Sequence, residues 1–176
     1  MKTLIIYTSA TGHTKKYTEW LVERTGAQAL VLEEAKKKSD DYFAQYDTII
    51  YGGWIMAGKV VKGDWFFKKA SAWKDKKLAV FCVGASPKES TELAEAMTKI
   101  VPDEQKAYIK LFYCQGGLDY EKMKFFPKIV MKLFAFMLNH KKNPTDETKE
   151  MAKLVKHSYD ISDIAFIEPI VEFVEN

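Results

Sequence analysis

The 176-residue sequence contains neither G-x-x-x-x-G-K-[ST] nor G-x-G-x-x-G. The first pattern carries the Lys that reaches the outer phosphates of a nucleoside triphosphate, and the second lets backbone approach a pyrophosphate, so the common nucleotide loops are excluded. Cysteine is scarce. Cys82 and Cys114 each end an apolar run, which predicts two buried thiols at strand tips, the alternative being a redox pair. The three histidines, His13, His140 and His157, are scattered, so no metal site is expected. No nucleophile and base pair can be assembled, which argues against a hydrolase. Charge of one sign is also lacking: 27 basic residues stand against 24 acidic ones, a net +3. The lysines are spread along the chain and mixed with carboxylates, which excludes a nucleic-acid surface. Lys2 precedes only a short apolar run, so no signal peptide is expected and the cytoplasm is the expected location.

What the chain does have is a first turn rich in hydroxyls. The apolar run Leu4, Ile5, Ile6 leads through Ser9-Ala10-Thr11-Gly12-His13-Thr14 into Tyr17, Trp20 and Leu21 at helical spacing. A strand turning into a helix in this way points backbone N–H groups and a partial positive charge at an anion. Ser9, Thr11 and Thr14 surround one Gly, with no Lys inside the turn. That donor set suits a terminal phosphate monoester, although Ser9 and Thr11 could equally cap the helix. The S-x-T-G-x-T pattern resembles the FMN phosphate loop of the flavodoxin family. Its electron carriers are strongly acidic, a field this chain lacks.

Apolar runs and helical patterns alternate along the chain. Strands are predicted at 3–7, 28–32, 48–51, 78–83 and 108–113, and helices at 14–24, 62–73 and 89–100. The segment from Glu33 to Tyr46 reads as a short or irregular helix. The strands are apolar without strict alternation, as in a parallel sheet covered on both faces. The fold class that follows is α/β, a three-layer, doubly wound, five-stranded parallel sheet of order 2-1-3-4-5, with ligands at the carboxyl ends of strands one and three. A single domain over 1–176 is expected, with about 115–142 as an apolar, lysine-striped insertion or extension and further helices at the C-terminal end.

The loop after strand three should then lie beside the phosphate turn. It reads Tyr51-Gly52-Gly53-Trp54-Ile55-Met56-Ala57-Gly58-Lys59. Gly53, Trp54, Ile55, Ala57 and Gly58 offer close backbone and apolar cover for a flavin ring, the alternative being a Gly-rich turn with Trp54 in the core. Lys59 could favour an anionic reduced flavin or be a solvated surface lysine. Gly84, Ala85 and Ser86 form a third wall without the tyrosine that flavodoxins place there. Ser86, Pro87 and Ser90 could instead start the next helix.

Beyond strand five the chain continues for some sixty residues. Lys122 to Leu138 is dense in Phe, Met, Ile, Val and Leu, with Lys124, Lys128 and Lys132 on one stripe and Pro127 suited to a first helical turn. Such a helix either docks into the domain, the expected arrangement, or lies on a membrane interface. Asn143 to Glu150 forms a hydroxyl and acid cluster. Tyr159 to Asp163 could cap a last helix that Pro169 kinks or breaks.

From Lys2 to about Phe173 the order of motifs resembles the menaquinone-dependent, oxygen-independent protoporphyrinogen oxidase branch of the flavodoxin-like proteins. Gly52, Ile55 and Gly58, then Gly116, Leu118 and Tyr120, then Met131-Lys132-Leu133, and finally Thr145-Asp146 with Lys149-Glu150 carry it. The loop after strand four is shorter than in that branch. The resemblance implies FMN as cofactor and flavin-borne oxidoreductase chemistry, with Gly116, Leu118 and Tyr120 on the substrate side and no assigned catalytic residue. It implies a quinone or porphyrinogen as redox partner and peripheral contact with the inner face of the membrane. A non-catalytic FMN electron carrier is the alternative.

Overall fold

A computed structural model describes residues 1–123, 125–140 and 144–176. Lys124 of the expected lysine stripe and Asn143 of the hydroxyl and acid cluster lie outside these residues. Five parallel strands form the sheet: β1 (Thr3–Tyr7), β2 (Gln28–Val31), β3 (Thr48–Met56), β5 (Lys77–Gly84) and β6 (Ile109–Gln115), in the order β2-β1-β3-β5-β6. The short β4 (Lys59–Val60) folds back antiparallel on β3. With β4 set aside, this is the predicted doubly wound order.

Both faces are covered because successive side chains point to opposite sides. Leu4, Ile6, Ile49, Tyr51, Leu78, Val80 and Cys82 pack against α2 (Leu32–Ala35), α3 (Asp40–Ala44) and α4 (Gly63–Ala70) and against Ile100 and Val101, which follow α5 (Thr91–Met97). Ile5, Ile50, Ala79, Phe81, Val83 and Cys114 pack against α1 (His13–Thr25) and α8 (Glu168–Glu175). The two cysteines are therefore buried free thiols on opposite faces of the sheet. Burial pushes both thiols up, so they serve as packing groups and the redox-pair alternative falls.

Strand β3 runs five residues past its predicted end, through both glycines. A Cβ at Gly52 would lie 2.2 Å from the Phe81 ring, so the ring of the neighbouring strand occupies the space a side chain would need. Beyond it the chain reverses at Ala57 and Gly58, with φ of 50° and 73°. Positive φ at both central residues marks the tight hairpin turn that matches strand twist. The charged second crossover is two short helices, α2 and α3. Ser90 caps α5 by accepting from the Leu93 N–H, so of the three expected start signals it is Ser90 that starts the helix. Pro169 stands in the first turn of α8, directly after a short 3-10 segment at Ile164–Ile167 that Asp163 caps. It marks a break.

Between β6 and α8 the chain inserts β7 (Gly117–Leu118), α6 (Phe125–Asn139), α7 (Asp146–Leu154) and β8 (Tyr159–Asp160), with β7 and β8 paired antiparallel. Thr145 caps α7 through the Thr148 N–H. Leu118, Ala135 and Val155 form a small separate core, against which Met131, Leu138, Met151 and Tyr159 pack. Helix α6 thus docks along one face only. Phe125, Ile129, Val130, Leu133, Phe134, Phe136 and Met137 are exposed.

Candidate functional site

The first turn begins at Tyr7, the last residue of β1, which pairs with Gly52 of β3, and the Thr8 N–H donates to the Gly52 carbonyl at 2.9 Å. This places the hydroxyl-rich loop at the junction of β1 and β3, where the strand order reverses. Gly12 precedes α1 with φ of 107°, a backbone that side chains resist. A helix start leaves its first N–H groups without intrahelical acceptors. The Lys15 N–H finds Ser9 Oγ at 3.4 Å, while those of His13 and Thr14 take no acceptor from the described residues. Ala10 and Gly12 are exposed, Ser9 and Thr11 half-buried, and Thr14 almost wholly buried. Ser9 therefore does help to cap the helix, as the alternative held, yet the loop keeps free donors for an anion.

His13 turns its ring inward. Its Nδ1 lies 3.4 Å from Ser162 Oγ and 3.6 Å from Asp160 Oδ1, and its Nε2 is buried without a partner. Burial lowers its pKa below the usual 6.5, outweighing the opposite pull of Asp160. At neutral pH the ring is uncharged, so the ionic partner of Asp160 is Lys16, at 3.0 Å. Burial alone would raise the Asp160 carboxyl. Hydrogen bonds from Ser162 and Lys16 and the nearby His13 overcome this and hold it at about 2. The cluster clamps the start of α1 to β8.

The loops after β3, β5 and β6 complete this end of the sheet. Gly53 is buried, Trp54 and Ile55 half-buried at the end of β3, and Ile55 pairs with Val60. Ala57 and Gly58 form the hairpin tip, with the exposed Lys59 just beyond. Ile55 packs into the core beneath. After β5, Gly84 pairs with Gln115, and the carbonyls of Ala85 and Ser86 accept from two tyrosines: Tyr159 Oη at 2.8 Å and Tyr113 Oη at 2.6 Å. Burial raises the Tyr159 phenol to about 12, so it stays protonated as a donor. After β6, the Gly116 N–H donates to the Gly84 carbonyl at 2.7 Å, and a Cβ there would meet Val83 at 2.6 Å and the His13 Cβ at 3.3 Å. Gly116 thus lies against the phosphate turn.

Of the remaining expected substrate-side residues, Leu118 is buried in the small core. Tyr120 donates to the Val155 carbonyl, tying the insertion together. Tyr17, Tyr113, Tyr159, Asp160 and Ser162 escape a reading of the sequence. Tyr17 donates to the Gln115 carbonyl and accepts from the Asp163 N–H at 3.1 Å, joining α1 to both chain segments. Partners 27 to 149 residues apart leave no local pattern.

Several solved structures are similar to this chain. A flavodoxin from the domain Archaea is 16% identical, with 89% of this chain and 100% of that one covered and a TM-score of 0.39. A WrbA-like flavodoxin from Agrobacterium tumefaciens is 17% identical, with 88% and 95% covered and a TM-score of 0.41. Rubredoxin oxygen:oxidoreductase from Desulfovibrio gigas is 14% identical over 88% of this chain, with a TM-score of 0.42, and the match spans only 34% of that enzyme. No curated protein matches the chain in sequence. Residues 4–148 match the flavodoxin domain, so the chain belongs to the flavodoxin domain family, whose cofactor is FMN.

Proposed function

We propose that the chain is an FMN-dependent oxidoreductase that passes electrons from a porphyrinogen-type donor to a quinone. The observation that carries the cofactor's place is the first turn, where free N–H groups at His13 and Thr14 stand among the hydroxyls of Ser9 and Thr11. In this proposal those groups hold the phosphate, and Trp54, Ile55, Ala57 and Gly58, with Gly84 to Ser86, border the ring. FMN supplies reversible electron uptake when bound. The chain's own part is to fix the phosphate, to present backbone at the ring edge and to shape access.

Access is where the insertion enters. Tyr159 of the insertion grips the Ala85 carbonyl beside the proposed ring site, and the motif residues Gly116, Leu118 and Tyr120 lead into the same segment. Porphyrinogen oxidation releases electrons and protons from the donor's C–H and N–H bonds, and the quinone takes them up to become quinol. FMN-loaded protein, reduced porphyrinogen and menadione under argon should give rising porphyrin fluorescence. Absence of turnover, with flavin still bound and reducible by a protein partner, would favour a non-catalytic electron carrier.

A further inference from the structure

The outward face of α6 carries most of the exposed large apolar side chains among the described residues. Phe125, Ile129, Val130, Leu133, Phe136 and Met137 are exposed to between 40 and 81%. At about 100° per residue these positions fall within an arc of about 140° of the helix circumference. Scattered apolar side chains are ordinary on a protein surface, but a contiguous patch of this kind marks an interaction site. No described helix is long and apolar enough to cross a membrane, and at 15 residues α6 spans about 22 Å against a hydrocarbon core of about 30 Å.

The charge around the patch identifies its occupant. Helix α6 carries Lys128 and Lys132 and no carboxylate. Lys128 and Lys132, at one edge of the apolar arc, line a groove of about 460 Å³ together with Lys156, His157 and Ser158, with Glu121 as its acidic member. A second copy of this chain would bring the same lysine-bearing, acid-free helix against itself, opposing like charges. An anionic bilayer meets both demands at once, taking the apolar arc into the acyl boundary and the lysines among the headgroups.

We propose that α6 is an interfacial anchor that docks the protein on an anionic lipid surface, with the Lys128 and Lys132 groove against the headgroups. The opposite face of α6 packs through Ala135 into the small core that includes Ala85 and Tyr159. Docking would thus hold the third wall of the proposed flavin site near the bilayer, within reach of a lipid-soluble redox partner. The anchor itself stands on the exposed face and its charge, and does not depend on the cofactor.

Flotation of the full chain with vesicles tests it, with and without added FMN. The protein should float with vesicles rich in phosphatidylglycerol and not with pure phosphatidylcholine, and raised salt should release it. Leu133→Gln with Phe136→Gln and Met137→Gln should lower partitioning at least about ten-fold, and Lys128→Gln with Lys132→Gln should remove the preference for anionic lipid. All five residues are solvent-facing or half-exposed, so the variants should fold, which circular dichroism would check. Failure to float with anionic vesicles would overturn the anchor, as would flotation unchanged in the triple variant. A dimer in sedimentation that the triple variant dissolves, with no flotation, would assign the face to a second copy instead. Because the readout is protein position, loss of flavin binding and loss of anchoring are separately visible.

Discussion

The phenol of Tyr159 donates a 2.8 Å hydrogen bond to the carbonyl of Ala85, 74 residues earlier in the chain. This contact joins the inserted segment to the loop after β5, and Tyr113 repeats the arrangement one residue on at Ser86. The loop has no aromatic residue of its own, so its position is set by tyrosines from β6 and β8.

Tyr159→Phe keeps the ring and deletes the donor, leaving the Ala85 carbonyl to find water. The expected cost is about 1 kcal/mol of stability, read as a shift of the urea midpoint. FMN affinity should fall as well, because the loop borders the proposed ring site. An unchanged affinity in a folded variant would place the ring elsewhere.

Gly52→Ala should be among the most damaging small substitutions. Its Cβ would sit 2.2 Å from Phe81 Cζ in the middle of the sheet, and overpacking of this kind costs about 1–3 kcal/mol. Phe81→Leu in the same chain should return part of the loss, which a thermal melt of the double variant would reveal.

The hairpin tip offers a change in the other direction. Ala57 holds φ of 50°, a conformation that costs an ordinary side chain about 1–2 kcal/mol. Ala57→Asn creates the Asn-Gly pair that this turn favours. It should raise the melting temperature, and a lower one would mean that the tip adopts another turn in solution.

Acid should weaken the clamp at the start of α1 in two stages. The unfolded chain takes up a proton at His13 below about 6.5, while the folded protein resists it, so stability falls as pH drops through that range. Asp160 contributes stability above its ordinary 3.8, and this is lost as pH falls toward its folded value of about 2. Urea midpoints across pH should show His13→Gln flattening the first stage and Asp160→Asn the second.

Much of the frame was legible because it depends on local pattern. The bounds of β1 at Thr3 and Tyr7 agree with its apolar run, and the covered strands announce themselves by lacking alternation. The hairpin was not legible: Gly52 and Gly53 read as loop residues, and only the folded chain, with Phe81 against Gly52 and Val60 against Gly53, explains why a strand uses them. The β7 and β8 ribbon joins residues some forty positions apart and is two residues long on each side, too short for any periodicity. For α6 the sequence showed the wide apolar face, but which part would be buried depended on how little of the domain the insertion could reach. In the site, the hydroxyls and Gly12 were visible, whereas the inward turn of His13 against Asp160 and Ser162 required the folded chain.

The phosphate turn is the centre of the account, and the most direct test compares FMN with riboflavin, which has the same ring and no phosphate. Titration calorimetry with the flavin-free protein should show FMN binding far more tightly, with Ser9→Ala combined with Thr11→Ala removing most of the difference. Equal affinity for the two ligands, or no affinity for either, would contradict a phosphate site between β1 and α1.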